Sequence, residues 1–348
     1  MIPGPTDPLH VLIASYLDER EVRRIEQVDP RIRVLNAPEL LPIPRYAADH
    51  SGSHRALSDT DLAKWQDLVA LADVSYDFDW HRPADLLSTA PKLRWVQATS
   101  SGIGEFLTDT GLINSGITFT TAAGVHAVPL AEFVTMGLLY LVKEVPMLRE
   151  QMRRHLWERY TTHSLAGKRA LVVGMGNVGR QVARHLSALG VYITGASRTP
   201  GTPPPGVDTV VALSEVPSVL PDIDALVLCS PLSASTYRLI GAAELEALPR
   251  GCLVVNVARG QVIDETALIA ALESGHLGGA VLDVVESEPL REDSPLWDRD
   301  NVLISPHSAS TLADENARIV DIFVTNLTRW LRGETLVNVF ARTDALTS

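Results

Sequence analysis

Between Ala170 and Gly190 the chain reads as one continuous unit. The apolar run Ala170 to Val173 leads into Gly174-Met175-Gly176-Asn177-Val178-Gly179, and Arg180 to Leu189 continues as an amphipathic helix that stops at Gly190. A lone G-x-G-x-x-G is weak; its weight comes from an apolar strand directly before it and a helix directly after it. In that setting Gly174 permits the tight turn, Gly176 lets a ligand approach the backbone, and Gly179 lets helix and strand pack closely. The start of the helix offers free N–H groups and the positive end of its dipole, which suits phosphate. The second half of the chain is therefore expected to form a doubly wound parallel α/β domain of Rossmann type, with a dinucleotide at Gly174, Gly176, Asn177, Val178 and Gly179.

The same alternation runs through the rest of the chain. Val11 to Ala14, Ile32 to Leu35, Val74 to Phe78 and Leu93 to Gln97 read as short buried strands, separated by helices at Asp18 to Gln27 and from the cap Ser58 to about Leu71. Strand and helix in turn predict a small parallel sheet with helices on its faces. Pro129 to Lys143 reads as a long buried helix. Tyr192 to Ala196, Leu226 to Cys229, Cys252 to Val257, Ala280 to Asp283 and Val302 to Ile304 read as further strands. The proline-rich stretches 36–54 and 199–206 read as loops, and Thr311 to Arg332 as a closing amphipathic helix.

Composition narrows the function. At 348 residues the chain has room for about two domains. A net charge of −12 argues against nucleic-acid binding. No apolar run approaches the roughly 20 residues of a membrane span, and the N-terminus lacks the basic-then-apolar order of a signal peptide. Cys229 and Cys252 sit in apolar runs and read as buried free thiols of a reducing cytoplasm. His50 and His54 have helical i, i+4 spacing but flank Ser51-Gly52-Ser53, so they read as a solvated loop, and no metal site is expected.

Three ionisable residues follow the glycine loop in order. Arg259 ends the run Val254-Val255-Asn256-Val257-Ala258-Arg259-Gly260. Glu288 lies in Asp283-Val284-Val285-Glu286-Ser287-Glu288-Pro289. His307 follows Ile304-Ser305-Pro306. Reducing a 2-oxo acid requires a held carboxylate, a protonated carbonyl oxygen and an aimed hydride. A guanidinium matches a carboxylate bidentately. An imidazole takes the alcohol proton in one direction and returns it in the other, and a carboxylate on its second nitrogen orients the ring. Glu286 competes with Glu288 for that last role. There is no Gly-x-Ser-x-Gly elbow to pair the histidine with a hydrolytic nucleophile.

In order and local context these segments resemble the D-isomer-specific 2-hydroxyacid dehydrogenase family. The resemblance implies a Rossmann domain, residues 105–308, inserted into a smaller flavodoxin-like substrate domain formed by residues 1–104 and 309–348. It favours Glu288 as the acid, because the family's acid directly precedes the proline of its Asp-x-x-x-x-Glu-Pro segment. It assigns Arg259, Glu288 and His307 to catalysis, and Ser230, Pro231, Ala258 and Asp283 to the cofactor side, with Asp283 also supporting the site. It implies that the backbone N–H groups of Ser101 and Gly102 hold the substrate carboxylate along with Arg259 and His307. Trp157 resembles a tryptophan that reaches the neighbouring subunit's site in related reductases, so a homodimer is expected.

The end of the second strand bears on the choice of cofactor. An NAD site usually carries an acid about 20 residues past the loop, on the ribose 2′-hydroxyl. Here no acid occurs between Arg159 and Val207, and the second strand ends Ser197-Arg198-Thr199. Those three side chains suit a 2′-phosphate, in the manner of the NADPH-using glyoxylate/hydroxypyruvate reductases. NADP(H) is expected to be favoured, with NAD(H) as the alternative. The expected activity is reversible reduction of a small 2-oxo acid, glyoxylate- or hydroxypyruvate-like, to the (R)-2-hydroxy acid. Two other readings stand beside it: oxidation of formate or phosphite, and a non-catalytic nucleotide sensor like the corepressors of this fold. Formate dehydrogenases pair the imidazole with a glutamine, which Glu288 opposes.

Overall fold

Alternating apolar residues, one set for each face, decide how the first sheet is covered. In the computed structural model, which describes residues 7–341, the chain divides into two units: residues 7–125 with 311–341, and residues 126–310.

The first unit is a five-stranded parallel sheet of β1 (Leu9–Ile13), β2 (Ile32–Leu35), β3 (Val74–Tyr76), β4 (Trp95–Gln97) and β5 (Thr118–Thr120), in the order β2-β1-β3-β4-β5. This is the flavodoxin-like order. Leu9, Val11 and Ile13 of β1 face the helices Glu19–Glu26 and Glu315–Arg332, burying Ile25, Ile319, Phe323 and Leu327. Leu12 and Ala14 point the other way, into a core shared with Trp65 and Val69 of the helix Asp59–Leu71. That helix starts where its sequence predicts, with the Ser58 hydroxyl accepting from Asp61 N at 3.1 Å.

Three expectations need correction here. The first unit extends to Val125 and not to residue 104, because β5 pairs in register with β4 and residues 337–340 run along β5, with Phe340 N donating to Phe119 O at 2.8 Å. The closing helix begins at Glu315, four residues later than expected. His50 is not solvated: its side chain is 12% exposed and its Nε2 lies 3.4 Å from Glu315 Oε1. No group of histidine, cysteine and acidic residues suited to a metal occurs among the described residues.

The second unit is a seven-stranded parallel sheet of β6 (Arg169–Val173), β7 (Tyr192–Ser197), β8 (Thr209–Ala212), β9 (Ala225–Leu228), β10 (Leu253–Asn256), β11 (Gly279–Leu282) and β12 (Val302–Ile304). Its order is β12-β11-β10-β9-β6-β7-β8. From β6 the chain winds outward through β7 and β8, then returns to lay β9 on the other side of β6. The crevice beyond the carboxyl ends of β6 and β9 is thus a topological switch point, where doubly wound sheets bind ligands. The helix Ala127–Val142 packs one side on the helix Asn177–Ala188 and on β10 and β11, while Val128 and Met136 stay exposed; it is half-buried, not wholly buried as its composition suggests. Among the described residues no helix is long and apolar enough to cross a membrane.

Candidate active site

The glycine loop is built by close approach at the switch point. Gly174 sits at φ +99, and a Cβ there would lie 2.6 Å from the backbone N of Ser230 at the end of β9. A Cβ on Gly179 would lie 1.9 Å from Gly174 O. The helix Asn177–Ala188 has Gly176 as its N-cap, so its first N–H groups face the loop mouth. Arg180 Nε donates to Met175 O at 3.0 Å and pins the turn. Ser230 is buried and its hydroxyl has no protein partner, while Thr236 shapes the segment after it by donating to Pro231 O at 2.7 Å. A cradle that side chains would fill, with an unpartnered hydroxyl at its edge, fits the pyrophosphate half of a dinucleotide. Cys229 lies behind the loop, and burial pushes its thiol up to about 12, as it does that of Cys252, so both stay neutral thiols.

At the end of β7 the Ser197 hydroxyl donates to Thr199 O at 2.9 Å, which folds the 197–199 turn and leaves the Arg198 side chain exposed. The first acid after the loop, Asp208, is spent elsewhere: its Oδ2 accepts from Ile193 N at 2.7 Å, near the opposite end of β7. No carboxylate of this strand end stands where a ribose 2′-hydroxyl would need one.

The candidate catalytic residues follow the carboxyl ends of β10, β11 and β12. Arg259 is extended (φ −143, ψ 147), partly buried, and its Nη1 donates to Ala258 O at 2.7 Å. Asn256, wholly buried, holds that loop from both sides: its Oδ1 accepts from Ala258 N and its Nδ2 donates to Arg259 O, each at 3.0 Å. His307 adopts the left-handed conformation at φ 52, uncommon for a residue with a side chain, and its Nδ1 lies 2.9 Å from Glu288 Oε2. Both side chains are nearly half exposed, 45% and 41%. Asp283, buried, secures this loop twice: its carbonyl accepts from His307 N at 2.8 Å and its Oδ1 from Ala309 N at 2.9 Å.

Two further contacts join these loops. A Cβ on Gly260 would lie 1.9 Å from Val285 O, so only glycine lets the arginine loop touch the segment leading to Glu288. Glu286, the competing carboxylate, pairs with Arg238 at 3.0 Å, which leaves Glu288 to the imidazole. Because a carboxylate only accepts, Nδ1 of His307 carries hydrogen, and Nε2 is the nitrogen left for a substrate.

Sequence reasoning singled out Arg259, Glu288, His307 and Asp283 but missed Asn256, Gly260 and Arg238. Asn256 did leave a signal, as the polar residue inside the apolar run 253–257. Ser101 and Gly102 stand exposed after β4 in the first unit, and Trp157, 97% exposed, lies on the irregular segment 154–163.

The family model described as "D-isomer specific 2-hydroxyacid dehydrogenase, NAD binding domain" matches residues 135–309. The chain is 32% identical over 249 residues to (S)-sulfolactate dehydrogenase of Chromohalobacter salexigens, covering 71% of this chain and 80% of that one. It is 30% identical over 260 residues to glyoxylate reductase of Korarchaeum cryptofilum, with 72% and 77% covered. Among solved structures, a D-isomer specific 2-hydroxyacid dehydrogenase of Xanthobacter autotrophicus in complex with NADPH is 28% identical, with a TM-score of 0.75 over 97% of this chain and 99% of that one. An NADPH-dependent glyoxylate/hydroxypyruvate reductase of Sinorhizobium meliloti, in complex with NADP and sulfate, is 25% identical, also with a TM-score of 0.75 and the same coverage. A glycine cradle at the switch point, an Arg–Glu–His set on the next three strand ends and these likenesses lead to one conclusion: the chain belongs to the D-isomer specific 2-hydroxyacid dehydrogenase family and is an oxidoreductase that uses NAD(P).

Proposed function

We propose that the chain reduces a small 2-oxo acid of the glyoxylate or hydroxypyruvate kind to the (R)-2-hydroxy acid, prefers NADPH to NADH, and works as a cytoplasmic homodimer. The observation that carries the chemistry is the 2.9 Å contact between His307 Nδ1 and Glu288 Oε2. A bound reduced nicotinamide supplies the hydride. As the hydride joins the carbonyl carbon, the carbonyl π pair moves to oxygen, and that oxygen takes the proton from Nε2 of His307. Arg259 pairs with the substrate carboxylate and polarises the carbonyl oxygen, and the N–H groups of Ser101 and Gly102 hold the carboxylate as well. Run backwards, neutral Nε2 accepts the alcohol proton.

The NADPH preference rests on the free Arg198 side chain and on the missing acid at the end of β7, and is in keeping with the NADPH and NADP in the two related structures. The homodimer reading is supported by exposed apolar side chains along residues 136–160, namely Met136, Met152, Trp157 and Tyr160, with no residue of the helix Val145–Arg153 buried.

The test follows nicotinamide absorbance with NADPH and NADH in turn against glyoxylate, hydroxypyruvate and pyruvate. His307→Ala is expected to lower kcat by roughly 10²–10⁴, the usual worth of a general acid. Arg198→Ala is expected to lower kcat/KM with NADPH by roughly tenfold or more while sparing NADH, since a charge-assisted pair is worth about 1.5–3 kcal/mol. An unreactive wild type that still binds NADPH tightly would sink the reductase reading in favour of the nucleotide sensor; an Arg198 variant with an unchanged cofactor ratio would sink the NADPH assignment alone.

A further inference from the structure

Four wholly buried polar side chains form one network inside the first unit, where apolar side chains would pack as well. Trp95 Nε1 donates to Thr120 Oγ1 at 2.8 Å, and Thr120 Oγ1 donates to Gln97 Oε1 at 2.8 Å. Asn326 Nδ2 donates to the same Gln97 Oε1 at 3.3 Å, across 229 positions of sequence. Asn326 also grips the segment after its own helix, with Oδ1 accepting from Val337 N at 2.7 Å and Nδ2 donating to Val337 O at 3.0 Å. The Gln97 side-chain nitrogen in turn donates to Ala98 O at 3.0 Å. Ala98 is the first residue of the β4 exit loop that carries Ser101 and Gly102. Asn326 meanwhile occupies the apolar stripe of its helix beside Ile319, Phe323 and Leu327. Burying an amide there is costly unless every group is satisfied, and buried polar residues of this sort are best attested as devices that fix register.

We propose that Asn326 is a positioning residue: through Gln97 it fixes the start of the β4 exit loop, and so sets how well that loop's backbone N–H groups hold the carboxylate of the 2-oxo acid. This rests on the proposed substrate role of Ser101 and Gly102. Thr120 acts on the same oxygen of Gln97 from the β5 side. Asn338 holds the neighbouring segment without touching Gln97, donating to Thr121 O at 3.3 Å and Ala123 O at 2.8 Å.

The test compares Asn326→Leu, Thr120→Val and Asn338→Ala with the wild type. Asn326→Leu is expected to raise KM for glyoxylate roughly three- to tenfold, the size of one net hydrogen bond, with kcat within about twofold. NADPH affinity, read by fluorescence titration, is expected to stay the same, and amide hydrogen exchange is expected to quicken at residues 98–102. Thr120→Val shifts KM and exchange in the same direction, whereas Asn338→Ala leaves both unchanged. The proposal is overturned if exchange at 98–102 is unchanged in both Asn326→Leu and Thr120→Val, if KM stays flat while only the melting temperature falls, or if Asn338→Ala reproduces the effect. Should Asn326→Leu fail to fold, Thr120→Val decides. Should the wild type reduce no oxo acid, the proposed function has failed, and the exchange comparison still upholds or overturns the tether.

Discussion

Gly260 shows how one residue without a side chain fixes the spacing of two that have them. Arg259 precedes it, and the segment it touches leads through Val285 to Glu288, so the backbone contact at Gly260 sets the gap between two catalytic loops. Gly260→Ala is expected to force those loops apart, costing about 1–3 kcal/mol of stability as overpacking does. It is also expected to cost roughly 10²-fold in kcat/KM, since small misplacements are expensive in catalysis. Urea denaturation together with steady-state kinetics checks both, and a variant that keeps its activity would show that the contact does not set the site. Arg259, Glu288 and His307 were legible in the sequence because each stands beside its own marker: a strand end, a proline, a Ser-Pro turn. Gly260 was not, because what it avoids is a backbone carbonyl 25 positions later, and nothing local announces that meeting. Arg238 was hidden for the same reason; its partner Glu286 is 48 positions away.

Among the elements, long apolar runs declared themselves and short edge pieces did not. β6 and β12 lie where their β-branched runs put them, and the start of the helix Asp59–Leu71 was written in Ser58. β5 escaped notice because it is only three residues long, Thr118–Thr120, too short for a period-2 pattern to show, and it is paired along β4. The helix Glu265–Glu273 carries an ordinary cap, Asp264 Oδ1 accepting from Ala267 N at 3.0 Å, but lies between stronger signals. How closely elements pack is a further matter. A Cβ on Gly137 would lie 2.5 Å from Val281 Cγ1 and 2.8 Å from Cγ2, so the helix Ala127–Val142 rests against β11 at glycine distance. Gly137→Ala is expected to lower stability by about 1–3 kcal/mol despite its better helix propensity. Adding Val281→Ala should restore part of the loss, because the obstacle is one side chain and not backbone. Thermal melts of the two single variants and the double variant measure the coupling, and strict additivity would disprove the contact.

The molecule as a whole carries a net charge of −12, yet its pH response is set in part by one buried acid. Asp77 follows β3 with φ 71, and its Oδ2 accepts from Trp80 Nε1 at 2.9 Å. Burial pushes its carboxyl above the ordinary range, against a smaller opposing pull from His50. A native value above the unfolded one means that folding favours the protonated acid. The stability it adds is therefore complete below the ordinary carboxylate range and is lost as pH rises through the native value. Asp77→Asn cannot ionise, so its melting temperature relative to wild type is expected to climb with pH, by about 2–4 °C for each kcal/mol. A difference that stays level from below the ordinary carboxylate range, about pH 3, up to neutral pH would refute it. The interrupted layout of the first unit has a consequence for synthesis. Ile319, Val320, Phe323 and Leu327 belong to the same core as Leu9, Val11 and Ile13, but the ribosome makes them only after residues 126–310 are complete. Domains fold as units while the chain emerges, so the unit begun second is the first that can finish, and the strands made earliest wait half-covered for the last helix.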